Sequence, residues 1–451
     1  VLPSSYRDPA GFVVNVGGLF RRVVTTYGLK DYERYISSGL HGRLVASKQI
    51  VDHEEEPSFA ASRPDWVKVL TPEQIVFISY PYEWSFDELK DAALLTLDVQ
   101  ETALAHGMSL KDASPFNVQF RGSRPVFIDT LSFEINAGGP WIAYEQFCRQ
   151  FLSPLLLMSY GWPEASRYLR VDLNGFPLEY ASRLLPTRSY GRLGALLHVH
   201  LHARSARNGR NIPPDSRSRG SDTKAGLAQS LRNSVEKLPR PGSDSAWSTY
   251  YQDARFYSVK AQKSKQSAVG RFAGGLKPRL IYDLGANTGL FARALSGEGT
   301  LCVAFERDAN CVNRLYLEER GNDASHVLPL VMDLDNPSPG LGFGLDSTLS
   351  ITERPQADLV LCLALIHHLR FSANIPLRKI ARFASRLGRW LLVEFVPRDD
   401  PAAQLLVHGR EGFDDYTSDA FVDAFSEPCC LRDQTAIEDS SRRLYLFERR
   451  T

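Results

Sequence analysis

The residues able to do chemistry in this 451-residue chain fall into two clusters far apart in sequence. The richer one begins with Ile281-Tyr282-Asp283-Leu284-Gly285-Ala286-Asn287-Thr288-Gly289. A short apolar strand there empties into a glycine-bracketed loop that opens a helix. Glycine reaches positive φ and carries no side chain, so the backbone at Gly285 and Gly289 can turn sharply and approach a ligand closely. Unpaired N–H groups at the start of the following helix favour a carboxylate or phosphate. Asp283, at the strand end, either caps the loop backbone or meets a ligand through water. A second strand, 301–305, ends in Glu306, 21 residues after Gly285. An acid there, outside the carboxyl end of the second strand, can accept hydrogen bonds from both hydroxyls of a ribose. The chemistry expected of this cluster is therefore the binding of a nucleotide. Neither G-x-G-x-x-G nor the P-loop Gly-Lys-Ser/Thr is present, which points away from a dinucleotide or a nucleoside triphosphate.

The spacing Asp283, Gly285, Gly289 resembles motif I of the class I S-adenosylmethionine (SAM)-dependent methyltransferases, and the segments that follow occur in that family's order. A third strand, 327–331, precedes Asp333, a strand with the sequence Ala357-Asp358-Leu359-Val360-Leu361-Cys362 leads to His367-His368, and a fifth, 390–395, contains Glu394. Two strand-like segments, 429–437 and 443–448, close the chain as the antiparallel pair expected at the sheet edge. The resemblance implies a Rossmann-like seven-stranded methyltransferase sheet in an α/β fold, with SAM as cofactor. It places Asp283, Gly285, Ala286, Asn287, Gly289, Glu306, Asp333, Leu334 and Leu363 at the cofactor, Asp333 reading the adenine amino group. It also implies that the segment before motif I covers the pocket, which makes Tyr251, Tyr257 and Lys260 candidates; both tyrosines could equally pack against the sheet.

Methyl transfer from a sulfonium is an in-line displacement, and alignment of donor and acceptor can supply roughly 7 to 11 kcal/mol of the barrier. A base is needed only if the acceptor must lose a proton. His367 and His368 follow the fourth strand, where the acceptor is expected, and an imidazole titrates near neutrality. Either ring could instead cap the following turn. His367 is the preferred base, His368 its neighbour, and Glu394 the reserve.

The second cluster lies in the first half. Asp112 and Asn117 sit in Leu110-Lys111-Asp112-Ala113-Ser114-Pro115-Phe116-Asn117, and Pro125-Val126-Phe127-Ile128-Asp129 follows. This spacing resembles the catalytic and metal loops of protein-kinase-like and aminoglycoside-phosphotransferase-like folds. By that resemblance Asp112 would orient an acceptor hydroxyl, while Asn117 and Asp129 would hold magnesium with ATP. Upstream, 75–82 reads as a strand entering a hinge, with two helices, 86–89 and 92–105, before the loop. Lys111 stands where His-Arg is expected, Thr130-Leu131 replaces Phe-Gly, and a glycine-rich loop followed by a strand lysine is missing. The residues equally fit a plain turn, since Asp, Asn and Pro all favour turns.

These clusters need two or three cored domains to hold them, and the composition supplies them: 43% of the residues are hydrophobic and a net charge of +1 gives no general attraction for nucleic acid. No apolar run approaches the ~18 to 20 residues of a membrane span, and 1–7 carries no signal-like apolar core, so a cytoplasmic location is expected. Six cysteines without a C-x-x-C pair argue against structural zinc and a disulfide framework. Residues 204–226, rich in Arg, Ser, Gly and Asn, read as a flexible linker or long loop. His198, His200 and His202 could share one face of a strand, or His198 and His202 sit one turn apart on a helix, but no further ligand stands nearby in sequence, and no metal is expected. The predicted organisation is an α+β, kinase-like N-terminal domain over 1–203, the linker, and a methyltransferase domain over 227–451 with a helical lead-in at 227–275. The expected function is methyl transfer to a small-molecule acceptor, which the N-terminal domain helps to bind. The alternatives are a bifunctional protein with a Mg-ATP-dependent phosphotransferase half, and a non-catalytic SAM-binding or partner-binding protein.

Overall fold

The computed structural model describes residues 1–2, 5–60, 66–207, 221–242, 258–322 and 324–450. The chain divides into two compact units, Val1–Gly242 with Gly340–Thr348, and Ser243–Pro339 with Leu349–Thr451.

In the first unit, β1 (Gly11–Val16), β2 (Leu19–Val24), β3 (His53–Glu55) and β4 (Lys68–Pro72) form an antiparallel sheet in the order β1-β2-β4-β3. Two small ladders follow: β5 (Met108–Leu110) pairs with β8 (Phe133–Ile135), while β6 (Val118–Arg121) and β7 (Arg124–Phe127) make a hairpin. This α+β unit differs from the sequence reading in three places. Residues 75–80 form no strand. The two short helices merge into one, Phe86–Ala105, whose start is fixed by Ser85 and Glu88: the Glu88 carboxylate accepts from the Ser85 backbone N–H at 2.8 Å and the Ser85 hydroxyl at 2.6 Å. The proposed linker also contains helix on both sides of residues 208–220, which lie outside the described residues: His202–Arg207 before and Ser221–Glu236 after. The latter belongs to the first unit. Arg232 is paired with Asp98 and with Glu101 (3.1 Å), and Lys90 donates to the Glu236 carbonyl at 2.9 Å. The boundary therefore falls at 242 rather than 227, because two ion pairs and a lysine-to-carbonyl hydrogen bond tie 221–236 to the long helix, and a composition-based reading has no access to them.

The second unit is a seven-stranded sheet. Its strands are β9 (Leu280–Leu284), β10 (Leu301–Glu306), β11 (Val327–Val331), β12 (Ala357–Cys362), β13 (Gly388–Phe395), β14 (Cys429–Ala436) and β15 (Arg443–Arg449). They lie in the order β11-β10-β9-β12-β13-β15-β14, with β15 antiparallel to both neighbours and the rest parallel. All five residues of β9 and of β11 are buried, as strands covered by helices on both faces must be. Ile281, Leu361 and Leu392 build the core with Phe291 from the helix Leu290–Leu295. The order reverses on either side of β9, and the crevice outside the carboxyl ends at such a switch point is where open α/β sheets bind ligands.

The helix Val259–Leu276 leads into this sheet. Ser258 caps it, its hydroxyl accepting from the Ala261 N–H at 3.1 Å. Its buried stripe is Ala261, Lys265, Val269, Phe272 and Ala273, so a lysine sits on the apolar face.

Candidate functional site

The loop after β9 is built by backbone. The N–H groups of Gly285 and Ala286 both donate to the Phe305 carbonyl, at 2.8 and 3.0 Å, which folds the loop over the end of β10. Gly285 (φ 75°) and Gly289 (φ 77°) take the left-handed conformation the sequence anticipated. A Cβ at Gly289 would lie 2.5 Å from Leu315, and one at Gly285 would lie 3.3 Å from Leu365. Two non-glycine residues share that conformation at the same crevice, Asn287 and Ala364, both at φ 51°. Left-handed backbone at ordinary residues is costly and concentrates at ligand sites.

Strand register then delivers the acids. Asp283 lies between Ala304 on β10 and Leu361 on β12. It is buried with its Oδ2 unpartnered, and burial pushes its pKa up to about 7. Glu306, which faces Val331 in register, ends β10. Its two oxygens accept backbone N–H groups from Asn287 (2.9 Å) and Asp308 (3.0 Å), the Arg307 backbone adds a weaker contact, and burial raises its pKa. Four lone-pair sites on a carboxylate still leave capacity for a hydroxyl donor. Asp333 follows β11 and lies 3.2 Å from Arg307. Ala286 and Leu363 are buried beside the loop, and Leu334 is partly exposed after Asp333. The carboxyl ends of β9 to β12 thus gather Asp283, Gly285, Ala286, Asn287, Gly289, Glu306, Asp333, Leu334 and Leu363.

Lys260 is not among them. It is exposed at the surface, 3.4 Å from Glu438. The lysine that turns inward is Lys265, five residues on, because it falls on the buried stripe of its helix. Tyr251 and Tyr257 lie outside the described residues.

Glu394 is not a free acid. Its Oε2 lies 2.6 Å from the Lys265 ammonium and its Oε1 3.6 Å from Arg442, and all three side chains are enclosed. Arg442 in turn makes a two-pronged contact with Asp400, at 2.7 and 2.9 Å. Two cations and two carboxylates so form a balanced buried chain beside Asp283. Lys265 is held below the usual lysine range by burial, and Glu394 with Asp283 pulls it back upward. Charges this deeply buried persist only when paired. The sequence reading missed Lys265, Arg442 and Asp400. The signal for Lys265 was its place on the 261-265-269-272 stripe, and Arg442 carries no local signal.

His367 is fully buried with neither ring nitrogen hydrogen-bonded, its ring centroid 4.2 Å from that of His368. Burial drives its pKa well below the usual histidine value, and burial lowers that of His368 to about 4. Both rings are therefore neutral, weak bases. Of the pair, only His368 retains partial exposure.

In the first unit, Asp112, Asn117 and Asp129 share one polar cluster. Gln146 donates to the Asp112 carboxylate at 2.8 Å, Asn117 donates to the Ser132 hydroxyl at 3.1 Å, and Ser132 donates to Asp129 at 2.7 Å. Asp129 also accepts from the Leu131 N–H (3.0 Å) and lies 2.6 Å from Arg22 on β2. Burial, then the charge of Asp129, raises the pKa of Asp112. The three histidines lie on a helix. Both nitrogens of His198 are engaged, by Tyr144 and Ser230, and both of His200, by Ser182 and Ser189.

Over 457 aligned residues the chain is 33% identical to the nodulation protein NoeA of Rhizobium meliloti (strain 1021), with 99% of this chain and 95% of that protein covered. The chain belongs to the NoeA family. No family model matches it. Among solved structures, the N-methyltransferase NodS from Bradyrhizobium japonicum WM9 matches 43% of this chain and 99% of its own, at 11% identity and a TM-score of 0.33. The bifunctional kinase-methyltransferase WbdD matches 42% of this chain and 38% of its own, at 16% identity and a TM-score of 0.30. Neither structural match carries the fold assignment, which rests on strand order and register. Among the described residues no helix is long and apolar enough to cross a membrane.

Proposed function

We propose that the second unit is a SAM-dependent methyltransferase acting on a small-molecule acceptor, and that the first unit contributes to acceptor binding. The observation that carries this reading is a topological switch point at which a bare glycine loop lies beside a partly buried carboxylate, Glu306, with unused acceptor capacity. SAM fits this donor set: Glu306 would take its ribose hydroxyls, Asp333 its adenine amino group, and the Gly285–Gly289 loop its methionine end. When bound, SAM supplies an electrophilic methyl group on a sulfonium. The protein's own share is alignment and exclusion of water. The weak basicity of His367 and His368 makes base catalysis a minor contribution; His368, the less enclosed, is the proton acceptor where one is needed. Glu394 and Lys265 position the floor through their ion pair. Six cysteines without a paired motif accord with a cytoplasmic location.

Calorimetric titration of the chain and its Gly285→Arg variant with SAM tests the cofactor. Binding by the parent and its loss in the variant are expected, and equal affinity in both would refute the assignment. A radiolabelled-methyl screen of small acceptors then separates an enzyme from a SAM-binding protein without activity. A second reading gives the first unit Mg-ATP phosphotransferase activity through Asp112, Asn117 and Asp129. What favours it is the clustering of those three side chains, and loss of ATP hydrolysis on Asp129→Ala would support it.

A further inference from the structure

A cavity of about 350 Å³ opens in the first unit, lined by Lys111, Ile142, Gln146, Arg149, Gln150 and Asn174 among others. Its size is within the range of small-ligand sites. One wall is the π-helical turn Cys148–Leu152, a wide-turn geometry found mostly as single turns at functional sites. The Arg149 carbonyl there accepts from the Phe176 N–H at 2.8 Å. This seats the Asn174–Gly175 turn against the helix so closely that a Cβ at Gly175 would lie 2.7 Å from Gln150 and 2.8 Å from the Arg149 backbone. The cavity is thus shaped by a backbone contact that only glycine at φ 94° permits.

Its polar groups are incompletely used. Gln150 is 4% exposed; its amide nitrogen donates to the Leu173 carbonyl at 2.7 Å, while its Oε1 is buried without a partner. The Arg149 Nε is likewise unpartnered, and the nearest carboxylates, Asp172 and Glu145, stand 3.7 and 3.8 Å from the guanidinium, beyond hydrogen-bond length. Buried donors and acceptors left open in one cavity call for a partner that both donates and accepts. Charge narrows the choice. Lys111 lies 3.3 Å from Asp8, so each cation at the cavity already faces a carboxylate, and no net positive field is left for an anion. The Gln150 Oε1, an acceptor, and the Arg149 Nε, a donor, offer the pairing that vicinal hydroxyls complement, and the amide oxygen of Asn174 adds an acceptor at the rim.

We propose that this cavity binds a neutral, polyhydroxylated molecule of monosaccharide size. The proposal deepens the acceptor-binding role given to the first unit and rests on it, but its test reads binding alone. The full chain is titrated, by saturation-transfer NMR without SAM, with a panel of neutral methyl glycosides, with glucuronate and inorganic phosphate as anionic comparators. At least one neutral glycoside is expected to bind saturably. Gln150→Leu and, at the exposed rim, Asn174→Ala should each weaken it about fivefold or more, the effect of one lost hydrogen bond. Asn174→Ala touches no core packing, so it decides the case if Gln150→Leu fails to fold. Silence across the panel, preference for phosphate or glucuronate, or binding that folded variants leave unchanged would overturn the proposal. A parallel SAM titration of the same samples keeps the two claims apart: glycoside binding without SAM binding refutes only the cofactor assignment, and the reverse refutes only this one.

Discussion

Both units set carboxylates at the ends of short strands around a tight turn, yet they differ in what those carboxylates already do. Glu306 meets only backbone N–H groups and keeps acceptor capacity, beside a floor kept bare by Gly285. Asp129 is taken up by the Arg22 guanidinium, the Ser132 hydroxyl and the Leu131 N–H, so a cation is already seated where a metal would bind. Like residue types at family-like spacing thus leave acceptor capacity open in one unit and give a satisfied polar cluster in the other. Spacing locates the backbone, and partners decide whether the side chain is free to act.

The largest expected effect breaks the open side of this contrast. An arginine at Gly285 must adopt φ 75° and push toward Leu365, so Gly285→Arg should reduce SAM affinity by about a hundredfold or more, equivalent to roughly 3 kcal/mol. Next is the buried chain behind it. Glu394→Leu leaves Lys265 and Arg442 short of a counter-charge and should cost about 3 to 5 kcal/mol in urea unfolding, whereas a cost under about 1 kcal/mol would show that the ion pair is dispensable.

Asp283 provides a pH test. Its folded pKa of about 7 lies above an unfolded value of about 3.9. Between these values the folded state binds more protons than the unfolded chain, so this group's contribution to stability falls as pH rises through that window and levels off above it. In Asp283→Asn the drop in stability between about pH 5 and about pH 8 should be smaller than in the parent; an unchanged drop would place the buried proton elsewhere. The smallest effect sharpens the satisfied side. Arg22→Met should cost about 1 to 3 kcal/mol by leaving Asp129 underpaired. If the guanidinium is what keeps the cluster closed, the variant alone should gain measurable Mg²⁺ binding; Mg²⁺ binding by the parent would contradict the comparison.

Much of the second unit was legible. Each strand was read within a few residues, since fully buried parallel strands appear as short apolar runs, and the glycine loop announces its own turn. The acids were legible too, because register converts strand ends into neighbours. Arg442 and Asp400 were not, for their roles exist only once β15 lies antiparallel beside β13. Lys265 was not legible from the family resemblance, which points to the aromatic segment holding Lys260; its inward turn follows from the helical phase of Ala261, Lys265 and Val269. The helix Ser221–Glu236 spans the expected linker and the start of the expected helical lead-in, and it joins the first unit through partners, Asp98 and Glu101, that lie more than a hundred residues upstream.

The most direct test of the central claim is calorimetric titration of the intact chain with SAM. Saturable binding at one site per chain, reduced in parallel by Gly285→Arg and Glu306→Ala, is the predicted result. Absence of binding to a folded chain, or binding that neither substitution weakens, would contradict it.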